Sequence, residues 1–139
     1  MRNEEFIELF EIYLVLNKRF AQKWSKVSEN GHSVAQALIL EVLAKEGKQR
    51  ATSLANSLSI TSGGITGVVD KLVNEGLVKK SRDKRDRRAV YIEMTDRGTD
   101  LLGILRNQRI QLMQEFLLSL SEPELQELLK LNKKIYVNT

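Results

Sequence analysis

The 139-residue sequence has no cysteine, one histidine and one proline. Without cysteine there is no disulfide, no thiolate nucleophile, no iron–sulfur cluster and no thiol redox switch. A single imidazole, His32, excludes a multi-histidine zinc site. A Ser-His-Asp triad would have to be built on that one residue. Pro123, the lone proline, rules out a proline-rich linker. No apolar run approaches the roughly 18 residues of a membrane span. The first five residues, Met1 to Glu5, lack the basic-then-apolar layout of a signal peptide, so a cytoplasmic location is expected. Enzyme signatures are missing as well: no Walker loop, nucleophile elbow, His-Glu-x-x-His or Rossmann fingerprint occurs. Gly63, Gly64 and Gly67 do not form a phosphate loop, because no lysine and serine follow at the required spacing. The expectation is a protein that is not an enzyme and needs neither cofactor nor metal.

What the sequence does contain is helical periodicity and one concentrated charge. The net charge is +4, from 22 basic and 18 acidic residues. The ten residues from Lys79 to Arg88 hold seven basic and two acidic side chains, so the other 129 sum to −1. A field gathered into one short segment reads as a localised contact with an anion.

Apolar residues at helical spacing predict a helix over residues 4–26, broken at Asn30–Gly31. Ser33 and Gln36 have capping-box spacing and start a second helix, with Ala35, Leu38, Ile39, Val42 and Leu43 as its stripe and Gly47 as its end. Thr52 is placed as the cap of a short third helix, and Ser59–Ile60–Thr61 as a turn. A fourth helix carries Ile65, Val68, Val69, Leu72 and Val73 on one face and ends at Gly76. Residues 77–81 and 89–94 then read as strands joined by the charged loop 82–88. Thr95 caps a long helix to about Leu118, and Ser121 to Glu124 is a second capping box. The fold class is mainly α with a small β wing. A winged helix-turn-helix core over about residues 33–95 is flanked by apolar outer helices, 4–26 and 96–137, that suit packing against a second copy.

These elements, in this order, resemble the MarR family of bacterial transcription regulators. The likeness is sharpest from Thr52 to Gly98: Leu54–Ala55, then TSGGITGVVDKLVNEGLVKK from Thr61, then DRRAVYIEMTDRG ending at Gly98. The resemblance implies a homodimer on a roughly palindromic duplex operator, probed by a recognition helix and a basic wing. It also implies a small aromatic or phenolic effector that loosens DNA binding.

A recognition helix needs an apolar face toward its own lobe and small or polar residues toward the major groove. Thr61, Ser62, Gly63, Gly64, Thr66, Gly67 and Lys71 are the candidates here. The glycines cost helix propensity, roughly 1 kcal/mol each. They serve close approach to DNA or, alternatively, mark a frayed helix start or tight helix packing. The helix offers no Arg or Gln for bidentate base readout, and Asn74 lies at its far end, which shifts weight to DNA shape and the wing.

The wing candidates are Arg82, Lys84, Arg85, Asp86, Arg87 and Arg88. By resemblance, Arg88 enters the minor groove and Asp86 orients it. Gln36, Thr52 and Ser53, near helix N-termini, are further phosphate candidates. Tyr13, Phe20, Trp24 and His32 are candidates for an effector crevice, against ordinary packing for the aromatics and a polar loop position for the histidine. The leading reading is a dimeric, sequence-specific DNA-binding repressor. The alternatives are a winged-helix protein–protein module, which has little need of the basic cluster, and a non-specific nucleic-acid-binding protein.

Overall fold

Hydroxyl side chains start four of the helices. The computed structural model describes residues 1–28, 31–58 and 61–139, and of Ser62 the backbone only. Within these, Ser33 caps α2 (Val34–Glu46) in a reciprocal box with Gln36, and Ser121 caps α6 (Glu122–Val137) in another with Glu124. Thr61 caps α4 (Ser62–Asn74), and Thr95 caps α5 (Asp96–Phe116). Each such cap stabilises its helix by about 1 kcal/mol. The long first helix, α1 (Asn3–Val27), has no side-chain cap, but Glu4 and Glu5 in its first turn favour the helix dipole.

The third helix departs from expectation. α3 (Ala51–Ser57) is preceded by Arg50 with no side-chain cap bond, so Thr52 lies inside the helix. The reason is a two-residue strand, β1 (Gln49–Arg50), which holds the chain extended up to the helix start. β1 pairs antiparallel with β3 (Val90–Met94), which also pairs with β2 (Val78–Arg82). The sheet order is β1-β3-β2, with Lys80 opposite Ile92 and Arg82 opposite Val90. Arg82 is thus a strand residue, not part of the loop, and α5 ends two residues short of Leu118. The turn expected at Ser59–Ile60–Thr61 and the break at Asn30–Gly31 fall partly outside the described residues.

Trp24, Ile39, Leu40, Leu54, Leu72, Ile92 and Leu105 lie at the centre of the core. They join the end of α1 to α2, α3, α4, the sheet and α5. α2 is buried more widely than a single stripe: Ala37 and Leu40 are inside, whereas Leu38 is exposed. The helix is wrapped by α1, α4, α5 and β3, so several of its faces are covered. α6 is the opposite case and has no buried residue.

α4 ends in a Schellman motif. The Leu77 N–H donates to the Leu72 carbonyl (2.9 Å) and the Gly76 N–H to that of Val73 (3.0 Å). Gly76 has φ +74°, a conformation that L side chains rarely adopt. Thr95 then locks this turn to α5. Its hydroxyl donates to the Gly76 carbonyl (2.7 Å) and accepts from the Gly98 N–H (3.1 Å). Gly98 is pressed against the Leu77 carbonyl oxygen and the Met94 side chain, and a Cβ there would overlap both.

The packing of α2 on α5 holds the one buried carboxylate among the described residues, Glu41. Arg106 donates to it twice, from Nε (3.2 Å) and from a terminal nitrogen (2.5 Å), and Arg109 once (2.7 Å). Lys45 Nζ is 3.8 Å away. The Arg106 hydrogen bond, helped by Arg109 and opposed by burial, lowers the Glu41 carboxyl from 4.5 to about 2. A depressed carboxyl contributes stability above its unfolded pKa and loses it as pH falls through the folded value.

Two outcomes follow for urea unfolding. Gly98→Ala is expected to destabilise the chain by about 2–4 kcal/mol, because the obstacle is backbone and cannot move aside. Glu41→Gln is expected to cost about 2 kcal/mol at neutral pH, and to remove Glu41's share of the stability loss expected as pH falls from 4.5 to about 2.

Candidate nucleic-acid interface

α4 divides into two faces. Ile65, Val69 and Leu72 are buried in the lobe, with Val68 and Val73 packed beside them. Gly63, Gly64, Thr66, Gly67, Asp70, Lys71 and Asn74 are exposed. The Gly64 N–H donates to Thr61 Oγ1 (3.1 Å), so the start of this helix is capped and not frayed. Ser62 is its first residue, with its side chain outside the described residues.

A Cβ built on Gly63 or Gly67 would meet nothing within 4 Å, and neither has a positive φ. Among the described residues, tight packing within the protomer is therefore not the reason for these glycines. They forgo roughly 1 kcal/mol each of helix propensity with no return inside the lobe. What they leave is a shallow, bare surface. Gly63, Gly64 and Gly67 line a cleft of about 360 Å³ with Lys71 and, from the start of α2, Ser33 and Gln36. Gln36 is buried and its amide oxygen accepts the Ser33 N–H (2.8 Å), which leaves its amide nitrogen as the group able to meet an anion. Asp70 on α4 pairs with Lys80 on β2 (3.0 Å), so one cation of the basic segment is neutralised.

The wing tip between β2 and β3 is built by its two aspartates. Asp83 Oδ1 accepts from the Arg85 N–H (2.9 Å) and Asp86 Oδ1 from the Arg88 N–H (3.0 Å). These are Asx turns. The Arg82 guanidinium donates to the Arg87 carbonyl (2.7 Å) and ties the strand end to the tip. Asp86 thus orients Arg88 through its backbone and not through a side-chain ion pair. Among the described residues no carboxylate lies within ion-pairing distance of Lys84, Arg85, Arg87 or Arg88, and all four are exposed. Thr52 is exposed and Ser53 half-buried in the first turn of α3.

A bare helix face beside a tip of unpaired cations is the layout of a winged-helix DNA reader. Residues 33–90 match the family model described as MarR family. The uncharacterized HTH-type transcriptional regulator YkoM of Bacillus subtilis is 32% identical over 109 residues, spanning 72% of this chain and 68% of the relative. The chain belongs to the MarR family. Its winged-helix fold, mainly helical with a three-stranded sheet, is that of the family's solved structures. The transcriptional regulator BldR from Sulfolobus solfataricus is 27% identical with a TM-score of 0.84 and full coverage of both chains. A cysteine-to-serine mutant of MarR from E. coli, complexed with operator DNA, has a TM-score of 0.81 at 24% identity, over 94% of this chain and 95% of that one. This MarR-family chain is accordingly a transcriptional regulator, and its relatives are regulators, not enzymes. No helix among the described residues is long and apolar enough to cross a membrane.

The four crevice candidates sit in different surroundings. Tyr13 is exposed on α1, nearly two turns from Phe20. Phe20 is half-buried and packs edge-on against Phe116 at 5.7 Å. Trp24 is buried in the core, and its indole N–H has no hydrogen-bond partner among the described residues. His32 is buried, not a solvated loop residue. Its Nε2 lies 2.5 Å from Glu75 Oε2, linking the start of α2 to the end of α4. His32 and Glu75 line a separate cleft of about 210 Å³ with Arg97, Asp100 and Ile104.

Gly63→Ala and Gly67→Ala each place a methyl in open space on a helix. Each is expected to raise unfolding stability, by up to about 1 kcal/mol. Calorimetry checks this; a lower Tm would mean that the glycines serve the lobe after all.

Proposed function

We propose that this MarR-family regulator acts as a homodimeric repressor on a pseudo-palindromic duplex operator. Residues 33–95 form the DNA-binding lobe, and the helices over 4–26 and 96–137 form the dimer. In each protomer α4 enters the major groove with Thr61, Ser62, Gly63, Gly64, Thr66, Gly67 and Lys71, while the tip from Arg82 to Arg88 reaches the flanking minor groove. Gln36, Thr52 and Ser53 contact phosphates.

The observation that carries this reading is the set of four exposed, unpaired cations on a tip shaped by its own aspartates. Guanidinium groups suit the enhanced negative potential of a narrow minor groove. Support for the dimer comes from the outer helices. α6 has no buried residue, and Phe6, Phe10, Tyr13 and Leu14 on α1 are all more than half exposed. Ordering such helices costs conformational entropy that needs apolar burial to offset it, and a second copy supplies the same surface. A small aromatic or phenolic effector that loosens the complex completes the proposal, with Tyr13, Phe20, Trp24 and His32 as its candidate contacts.

Selection of bound duplexes from a randomised pool, at near-physiological salt, is expected to enrich a palindrome with half-sites about one helical turn apart. Binding that lacks enrichment and vanishes as salt rises would replace this reading with non-specific nucleic-acid binding. Absence of any binding would favour the protein–protein alternative. On the selected site, Arg88→Ala is expected to weaken binding and lower the slope of log K against log salt by about one. The same site should bind Gly63→Ala and Gly67→Ala more weakly than the native protein, although those variants are the more stable ones.

A further inference from the structure

The Glu41 cluster lies away from the DNA surface, yet it joins the two halves of the molecule. α2 packs on α4 on one side and on α5 on the other. Most of its buried side chains are apolar: Ala37, Ile39, Leu40 and Leu43. Apolar contact is non-directional and tolerates small slides and rotations. Charge-assisted bonds to a planar guanidinium do not, since they fix distance and plane together.

Glu41 has both carboxylate oxygens engaged, by guanidinia on adjacent turns of α5. A buried carboxylate held this way is a weak source of net stability, because an apolar residue of similar volume often serves as well or better. What the cluster does supply is a defined seat. Without the negative charge, Arg106 and Arg109, at i and i+3, would be left as repelling neighbours at the joint.

We propose that Glu41 is a positioning residue. Its bonds to Arg106 and Arg109 fix the angle at which the DNA-binding lobe is held on α5, and thereby the separation of the two recognition helices. This rests on the dimeric, operator-binding reading above. A base step is about 3.4 Å, so a shift of only a few ångströms in where a recognition helix is held moves its half-site by one step. A loose seat would let the dimer accept half-sites at several spacings.

The test uses the full chain with Glu41→Gln, which keeps the side-chain volume and removes the charge. Because the chain has no cysteine, Ser57→Cys on the exposed end of α3 gives one spin label per protomer. Electron–electron resonance then reads the distance between the two lobes of the dimer. The expected result is a narrow distribution for the labelled parent and a broader or displaced one for the labelled Glu41→Gln protein. In parallel, affinity is measured for duplexes carrying the selected half-sites at the best spacing and at one base pair more or less. The parent is expected to prefer the best spacing by about tenfold, and Glu41→Gln to lose most of that preference while retaining its affinity for random duplex.

A folded Glu41→Gln protein with the parent's distance distribution and the parent's spacing preference overturns the proposal and leaves operator binding intact. A parent with no preferred spacing overturns the operator reading along with it. Should Glu41→Gln not fold, Arg109→Lys, which keeps the charge but loses the planar fork, is read by the same two measurements with the same deciding outcomes.

Discussion

The architecture depends on one close contact between backbones. Gly98, in the first turn of α5, lies against the Leu77 carbonyl, and Thr95 bonds the same turn to Gly76. Four elements meet there: α4 ends at it, β2 begins beyond it, β3 runs into it, and α5 leaves it. The recognition helix and both ends of the wing are therefore referred to a single point. The α5 helix that departs from that point carries the same reference out of the lobe. With a side chain at residue 98 the helix would stand off, and α4, the wing and α5 would lose their common origin.

Around that joint the molecule separates what holds it together from what it presents. The core groups, Leu40, Leu54, Leu72, Ile92 and Leu105, are buried and apolar. The surface proposed to meet DNA is made from residues that add little to the lobe's own stability: glycines in open space and cations without partners among the described residues. Proteins commonly break local rules at functional positions and compensate elsewhere. Here the compensation is visible in the Thr61 cap and in the buried face of α4, which keep a glycine-rich helix formed.

Much of this was legible in the sequence because it follows local rules. Ser33 and Ser121 announce helix starts through the Gln36 and Glu124 three positions on, Thr95 does so as a hydroxyl ahead of a helical apolar pattern, and the structure has those caps. The period change after Gly76 announces the wing. Long-range relations were not legible. β1 is two residues long, too short for any alternation to register, and its formation takes the cap position from Thr52. The buried His32 meets Glu75, 43 residues away. The pairing of Glu41 with Arg106 and Arg109 spans 65 and 68 residues. In the sequence Glu41 is one acidic residue among 18, and only a mid-helix carboxylate amid apolar neighbours hinted at a buried partner. The basic wing was conspicuous, but the use of its aspartates on backbone N–H groups was not, since spacing alone does not distinguish an Asx turn from an ion pair.

That use of Asp83 and Asp86 has a wider consequence. In the wing tip, shape and charge are carried by different residues. The two carboxylates and the Arg82 guanidinium fold the loop through bonds to main-chain groups, which every residue type except proline offers in full. Lys84, Arg85, Arg87 and Arg88 take part in that loop only through their backbones. Their side chains can be exchanged for others of different length or charge without refolding the tip. If the tip contacts DNA as proposed, a lineage carrying this loop can alter which DNA it prefers by single substitutions at four positions, while the scaffold that presents them stays as it is.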